Sequence, residues 1–147
     1  PGCDRHIALL EGVGMELRFD GDETQRLEQR LRFVPFAGEA PVFGTLLAGP
    51  VRDFNVMARR DRCRAEIMHR PLVGPRRFVP DAATCGVYIV DGRAECRSGD
   101  TSSALGAGDS LLLEPDRVGG NVVLRGGGEV VLVRFAPPAG IAAEPAR

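Results

Sequence analysis

The chain contains no tryptophan, no lysine, one tyrosine and two histidines. The histidines, His6 and His69, are far apart, and no His-x-His pair exists. A barrel metal site draws several imidazoles or thiolates from converging strands, so neither a metal nor any other cofactor is expected. Cys3, Cys63, Cys85 and Cys96 form no Cys-x-x-Cys pair; they read as reduced thiols packed as small apolar groups. No apolar run is long enough to cross a bilayer, and Pro1-Gly2-Cys3 does not read as a basic, apolar leader. No membrane partner and a cytoplasmic location follow as expectations. Missing too are a Gly-x-Ser-x-Gly elbow, a phosphate-cradling Gly-x-x-x-x-Gly-Lys and a Gly-x-Gly-x-x-Gly opening a helix. A net charge of −1 argues against nucleic acid, which demands a surplus of positive charge. No catalytic constellation remains.

What is present is punctuation. Nineteen glycines and 11 prolines break the chain into short apolar runs with little helical periodicity, which predicts an all-β fold. One design also occurs twice. His6-Ile7-Ala8-Leu9-Leu10-Glu11-Gly12 is an apolar strand ending in an acidic-Gly turn, and Gly86-Val87-Tyr88-Ile89-Val90-Asp91-Gly92 repeats it. Each copy continues with a polar stretch, a Leu-led segment running into proline, and a Gly-introduced apolar strand. Asp91-Gly92 predicts a type I′ hairpin pairing 87–90 with 93–96, and Glu11-Gly12 a weaker version of it. Met15–Phe19 and Ser110–Leu113 read as strands, and Gly126-Gly127-Gly128 as a turn. For 23–32 a loop and a strand are preferred over a helix. The expected organisation is a first half over 1–70, a linker over 71–84, a second half over 85–138 and a tail over 139–147.

The unusual strand is Val51-Arg52-Asp53-Phe54-Asn55-Val56-Met57. With period two, Asp53, Asn55 and Met57 share one face and Phe54 and Val56 the other. The counterpart, Glu129 to Val133, is almost wholly apolar. If the Asp53 face points inward, it supplies an acceptor and a donor at the base of a pocket; otherwise the same groups satisfy loop backbone or face water. Asp4-Arg5-His6 is the second polar cluster. Arg5 near a barrel mouth suits a carboxylate by bidentate pairing, or it serves an ordinary salt bridge.

The runs Pro1–Arg5, Leu9–Gly14 and Gly49–Met57 together resemble the HutD/Ves family, small bacterial cupin-like proteins encoded with histidine-utilisation enzymes. Arg52-Asp53-Phe54-Asn55-Val56-Met57 is the most specific part. The resemblance implies a bicupin, two jelly-roll type barrels built from the internal repeat, without the usual cupin metal ligands. Members carry an upstream Trp-Lys-Asn-Gly-Gly-Gly type segment that has no match here, so the first half is expected to lack its N-terminal strands. The function implied is non-enzymatic binding of a small carboxylate metabolite, such as N-formylglutamate or urocanate, in an accessory or regulatory role in histidine breakdown. Candidate ligand-binding residues are Arg5, His6, Asp53, Asn55 and Met57. A second reading is a metal-independent isomerase or hydrolase using His6 with Asp53, and it requires those side chains to converge. A third is a homodimer formed through sheet edges.

Overall fold

Alternating apolar and polar residues between glycine-rich breaks become strands throughout the described residues, which in this computed structural model are 1–21, 23–78, 83–115 and 120–138. The tail expected over 139–147 lies outside them. Among them, no helix is long and apolar enough to cross a membrane. The chain divides into two units, Pro1–Arg62 and Cys63–Arg147.

The first unit holds β1 (Cys3–Glu11), β2 (Met15–Phe19), β3 (Thr24–Leu27), β4 (Val34–Ala37), β5 (Val42–Leu46) and β6 (Arg52–Arg59). They form two three-stranded antiparallel sheets, ordered β4-β1-β6 and β3-β2-β5. Ile7 and Leu9 of β1 meet Met15 and Leu17 of β2, with Leu27 and Val34, in one buried cluster. The Phe19 and Phe36 rings meet edge to face at 5.6 Å, tying one sheet to the other. The stretch 23–32 is a strand and a loop, and buried Leu31 takes a left-handed φ of 60° while its amide donates to the Leu9 carbonyl at 2.9 Å.

The second unit holds β7 (Arg64–Phe78), β8 (Thr84–Ser98), β9 (Thr101–Gly106), β10 (Ser110–Leu113) and β11 (Val122–Ala136). The order is β10-β8-β11-β7, with β9 also on β8. Its pairings repeat those of the first unit. β1 pairs with β4 and β6, as the first half of β8 pairs with β10 and the second half of β11. β2 pairs with β3 and β5, as the second half of β8 pairs with β9 and the first half of β11. Two separate strands of one copy are thus a single long strand in the other. The fold is all-β and bicupin, built from an internal repeat.

That fusion corrects three expectations. Asp91-Gly92 is not a hairpin turn: it lies inside β8, where Gly92 at φ 85° bends a strand that continues on both sides. Gly126-Gly127-Gly128 is not a turn either but the matching bend of β11, in register with Ala94, Arg93 and Gly92. A Cβ on Gly126 would lie 2.1 Å from the Arg93 carbonyl oxygen, and one on Gly128 2.0 Å from that of Asp91. Only glycine permits this approach. Glu11-Gly12 makes no hairpin, because β1 and β2 belong to different sheets and the segment is a corner between them.

The expected linker is also displaced. Residues Pro71–Phe78 continue β7, which pairs with β11 over its whole length, and the division falls at Arg62/Cys63 rather than after residue 70. Residues 79–82 lie outside the described ones. Pro71 and Pro75 are tolerated because, among the described residues, β7 pairs with β11 alone and is an edge strand; a proline there can remove an N–H that would otherwise point away from the ladder.

The bend yields a test. Gly126→Ala should destabilise the chain by about 3 kcal/mol in urea unfolding, since the β8 backbone must move to admit a methyl group. Gly99→Ala, where nothing lies within 4 Å, should cost only the left-handed penalty of about 1 kcal/mol.

Candidate functional site

The register of β6 on β1 decides which polar residues meet. Arg5 stands opposite Met57, Ile7 opposite Asn55 and Leu9 opposite Asp53. Opposed residues of an antiparallel pair project to the same face. Ile7 and Leu9 belong to the core cluster, so Arg5, Asp53, Asn55 and Met57 share the sheet face that carries the core. Arg5 is also opposite Phe36 of β4, and its guanidinium carbon lies 5.0 Å from the centre of that ring.

His6 is opposite Val56 and Pro35 and therefore faces the other way. Its Nδ1 is buried without a hydrogen-bond partner among the described residues. Four of the five candidate residues come together, and His6 is separated from them by the sheet itself. The expectation of His6 and Asp53 as base and orienter fails for this reason: alternation along β1 and β6 keeps them on opposite faces. His69 offers no alternative, lying in the second unit with Nε2 3.6 Å from Glu129 Oε1. Among the described residues, no three His, Cys, Asp or Glu side chains converge as a metal site would require.

The polar groups also differ in setting from the expected pocket base. Asp53, Asn55 and Met57 lie on the outer strand of the β4-β1-β6 sheet and are exposed, Met57 at 62%. Water therefore reaches Asp53 and Asn55, so neither carries a burial penalty. Arg5 is the exception. Its Nε is buried and has no hydrogen-bond partner among the described residues, and none of the ion pairs there involves it. An unsatisfied buried donor costs about 1–3 kcal/mol, and more when charged. The guanidinium is held against Phe36 with hydrogen-bonding capacity to spare.

Ion pairs fix this arrangement at both ends. Arg60 follows β6 and donates from Nε to Asp4 Oδ1 at 2.5 Å, from Nη2 to the Cys3 carbonyl at 2.9 Å, and to both oxygens of Glu39 at 2.7 and 2.8 Å. One side chain thereby locks the start of β1, the end of β6 and the β4–β5 turn next to Arg5. At the far end Arg52 donates to Glu11 at 2.8 Å. The Arg60 hydrogen bonds hold the Glu39 carboxyl at about 2, well below the usual carboxylate range. The sequence reading singled out neither Phe36 nor the Arg60 clamp. Phe36 was within reach through the alternation of Val34-Pro35-Phe36, but nothing local marks Arg60.

The geometry defines a class: a cupin-like, all-β protein presenting a guanidinium, an amide and a carboxylate along one pair of strands. A family model described as HutD matches residues 1–132. Protein Ves of Cronobacter sakazakii is 39% identical over 94 residues, which are 63% of this chain and 49% of that protein. A 21.2 kDa protein encoded in the hutC 3′ region of Pseudomonas putida is 33% identical over 114 residues, 77% of this chain and 58% of that one. The solved structure of HutD from Pseudomonas fluorescens SBW25 superposes with a TM-score of 0.74 at 28% identity, covering 94% of this chain and 70% of that chain. The chain belongs to the HutD family, which is associated with the histidine-utilisation locus. It spans about half the length of the curated Ves relatives it matches.

The clamp sets a pH signature. Because Glu39 binds its proton less readily in the folded chain than in the unfolded one, its contribution is complete above about pH 4.5 and is lost as pH falls towards about 2. Glu39→Gln should therefore unfold at lower urea concentration than the parent chain at pH 7, and the gap should close as pH is lowered from 5 to 2. A gap independent of pH would show that Glu39 acts only through packing.

Proposed function

We propose that the chain is a small-carboxylate-binding protein, acting without catalysis as a cytoplasmic accessory or regulator of histidine utilisation, with the β1–β6 face of its first unit as the binding surface. One observation carries the reading: the Arg5 guanidinium is seated against Phe36 with a buried N–H unpaired, on the face that also presents Asn55 and Asp53. A carboxylate supplies what that N–H lacks, and the planar fork accepts it through two parallel hydrogen bonds. Next-but-one residues of a strand are about 7 Å apart, so Asn55 and then Asp53 lie progressively further from Arg5 along β6. Asn55 can both donate and accept at the middle of a ligand. Asp53 suits an N–H at its far end.

The ligand this ordering favours has a carboxylate at one end, a short spacer and an N–H donor. N-formylglutamate and urocanate, intermediates of histidine breakdown, both meet that description, and membership of the HutD family supports choosing among such metabolites. Glutamate and histidine serve as comparison ligands. Separation of His6 from Asp53 removes the acid–base pair that an enzymatic reading needs.

Thermal unfolding of the full chain with N-formylglutamate, urocanate, glutamate and histidine tests the proposal. A true ligand at a hundred times its Kd should add about 2.7 kcal/mol, a rise of roughly 5–10 °C for a chain of this size. Arg5→Ala should abolish the rise, and Arg5→Lys, which keeps charge but not the fork, should restore only part of it. Unchanged melting temperatures with all four compounds at millimolar concentration would overturn the assignment.

A further inference from the structure

We propose that the second unit carries a ligand site of its own, for a small uncharged aromatic molecule. A cavity of about 390 Å³ opens there, lined in part by Met68, Phe78, Leu132, Cys85 and Arg134. Its volume is that of roughly a dozen water molecules and falls at the small end of the range for organic ligands. Strand register explains the lining. Across β7, β11 and β8, Glu66, Arg134 and Cys85 stand in one row, and Met68, Leu132 and Val87 in the next row on the same face. That face carries the core: Val87 is buried, and Phe78, Cys85 and Leu132 pack against the same cluster. The cavity is therefore a recess in apolar surface with charged side chains only along one row.

The polar groups of that row are engaged with protein partners. Arg134 Nη1 donates to Glu66 Oε2 at 3.2 Å, and Arg64 Nη2 donates to Glu66 Oε1 at 2.8 Å. The Cys85 thiol donates to the Ala83 carbonyl at 3.8 Å. The Arg64 hydrogen bond, then that of Arg134, holds the Glu66 carboxyl below its usual range, so the ion pairs persist at neutral pH. An entering carboxylate would have to displace Glu66 from its arginines, and an ammonium would have to displace the arginines from Glu66. Either exchange strands an ion beside apolar surface, which is costly. An uncharged molecule disturbs neither pair and gains the apolar contact. Softness of the lining then selects among uncharged ligands. The Phe78 ring and the Met68 and Cys85 sulfurs favour an aromatic ring over a saturated one of equal size. This site shares no residue with the β1–β6 face of the first unit.

Titration of the full chain with 2-naphthalenemethanol tests it, followed by the ligand's own fluorescence, which no tryptophan of the chain overlaps. At pH 7, 2-naphthoate and 2-naphthylmethylamine should each bind about tenfold more weakly than this alcohol. Decahydro-2-naphthalenemethanol, measured by displacement, should bind roughly threefold more weakly. Met68→Leu keeps the apolar volume at a partly exposed position but removes a sulfur, so it should narrow the gap between the aromatic and saturated alcohols. Leu132→Phe, which fills the cavity, should weaken both alcohols. Saturating 2-naphthalenemethanol should also slow iodoacetamide alkylation of Cys85 without slowing that of Cys3, and Arg5→Ala should change none of these results. Absence of binding, a naphthoate or amine affinity equal to that of the alcohol, no preference for the aromatic ring, or loss of binding in Arg5→Ala would each overturn the proposal.

Discussion

A strand sends successive side chains to opposite faces, and pairing fixes which residues of two strands share a face. In the first unit the pairing of β6 with β1 places Arg5, Asn55, Asp53 and Met57 beside the core residues Ile7 and Leu9. Shifting that register by one residue would instead bring His6 to the same face as Asn55 and turn Arg5 away. The chemistry available to the face therefore rests on a backbone alignment. Arg60 guards it, since its hydrogen bonds to Asp4, Glu39 and the Cys3 carbonyl join the segments that would have to slide.

The same constraint organises the second unit with different residues. Where the first unit has Asp53, Asn55 and Met57 on the relevant face of β6, the corresponding half of β11 has Val130, Leu132 and Arg134 facing the core side. The polar groups are thus reduced to one row at the edge, and an apolar cavity lies behind them. Two copies of one design have diverged in what they expose: one a line of hydrogen-bonding groups on an outer strand, the other a hydrophobic recess with a charged rim.

Local features of the fold were legible in the sequence because their causes are local. Met15–Phe19 and Ser110–Leu113 are strands within the limits that alternation and flanking turn residues suggest. The duplication was legible too, since both copies retain the apolar run before an acidic-Gly pair. What escaped depended on distant partners. Whether Asp91-Gly92 reverses a chain or merely bends it is decided by three glycines on another strand, which let the two backbones bend together. Pro71 and Pro75 look like linker residues until β7 is known to be an outer strand. At the candidate site, period two identified the Asp53, Asn55 and Met57 face. Arg5 and His6 are adjacent and cannot both reach it, and only the register chooses between them.

The bends in β8 and β11 have a further bearing on how each half yields to thermal agitation. In the second unit the β8–β11 ladder runs through the corner, so its two sheet regions share one line of backbone hydrogen bonds and cannot part separately. In the first unit the equivalent passages, at 12–14 and 47–51, are loops that interrupt the strands, so its two small sheets are joined chiefly through side chains, the cluster of Ile7, Leu9, Met15 and Leu17 and the Phe19–Phe36 contact. Cooperative units that share fewer hydrogen bonds open at lower free energy. Opening of the first unit is accordingly governed by side-chain packing, and opening of the second by a continuous backbone ladder.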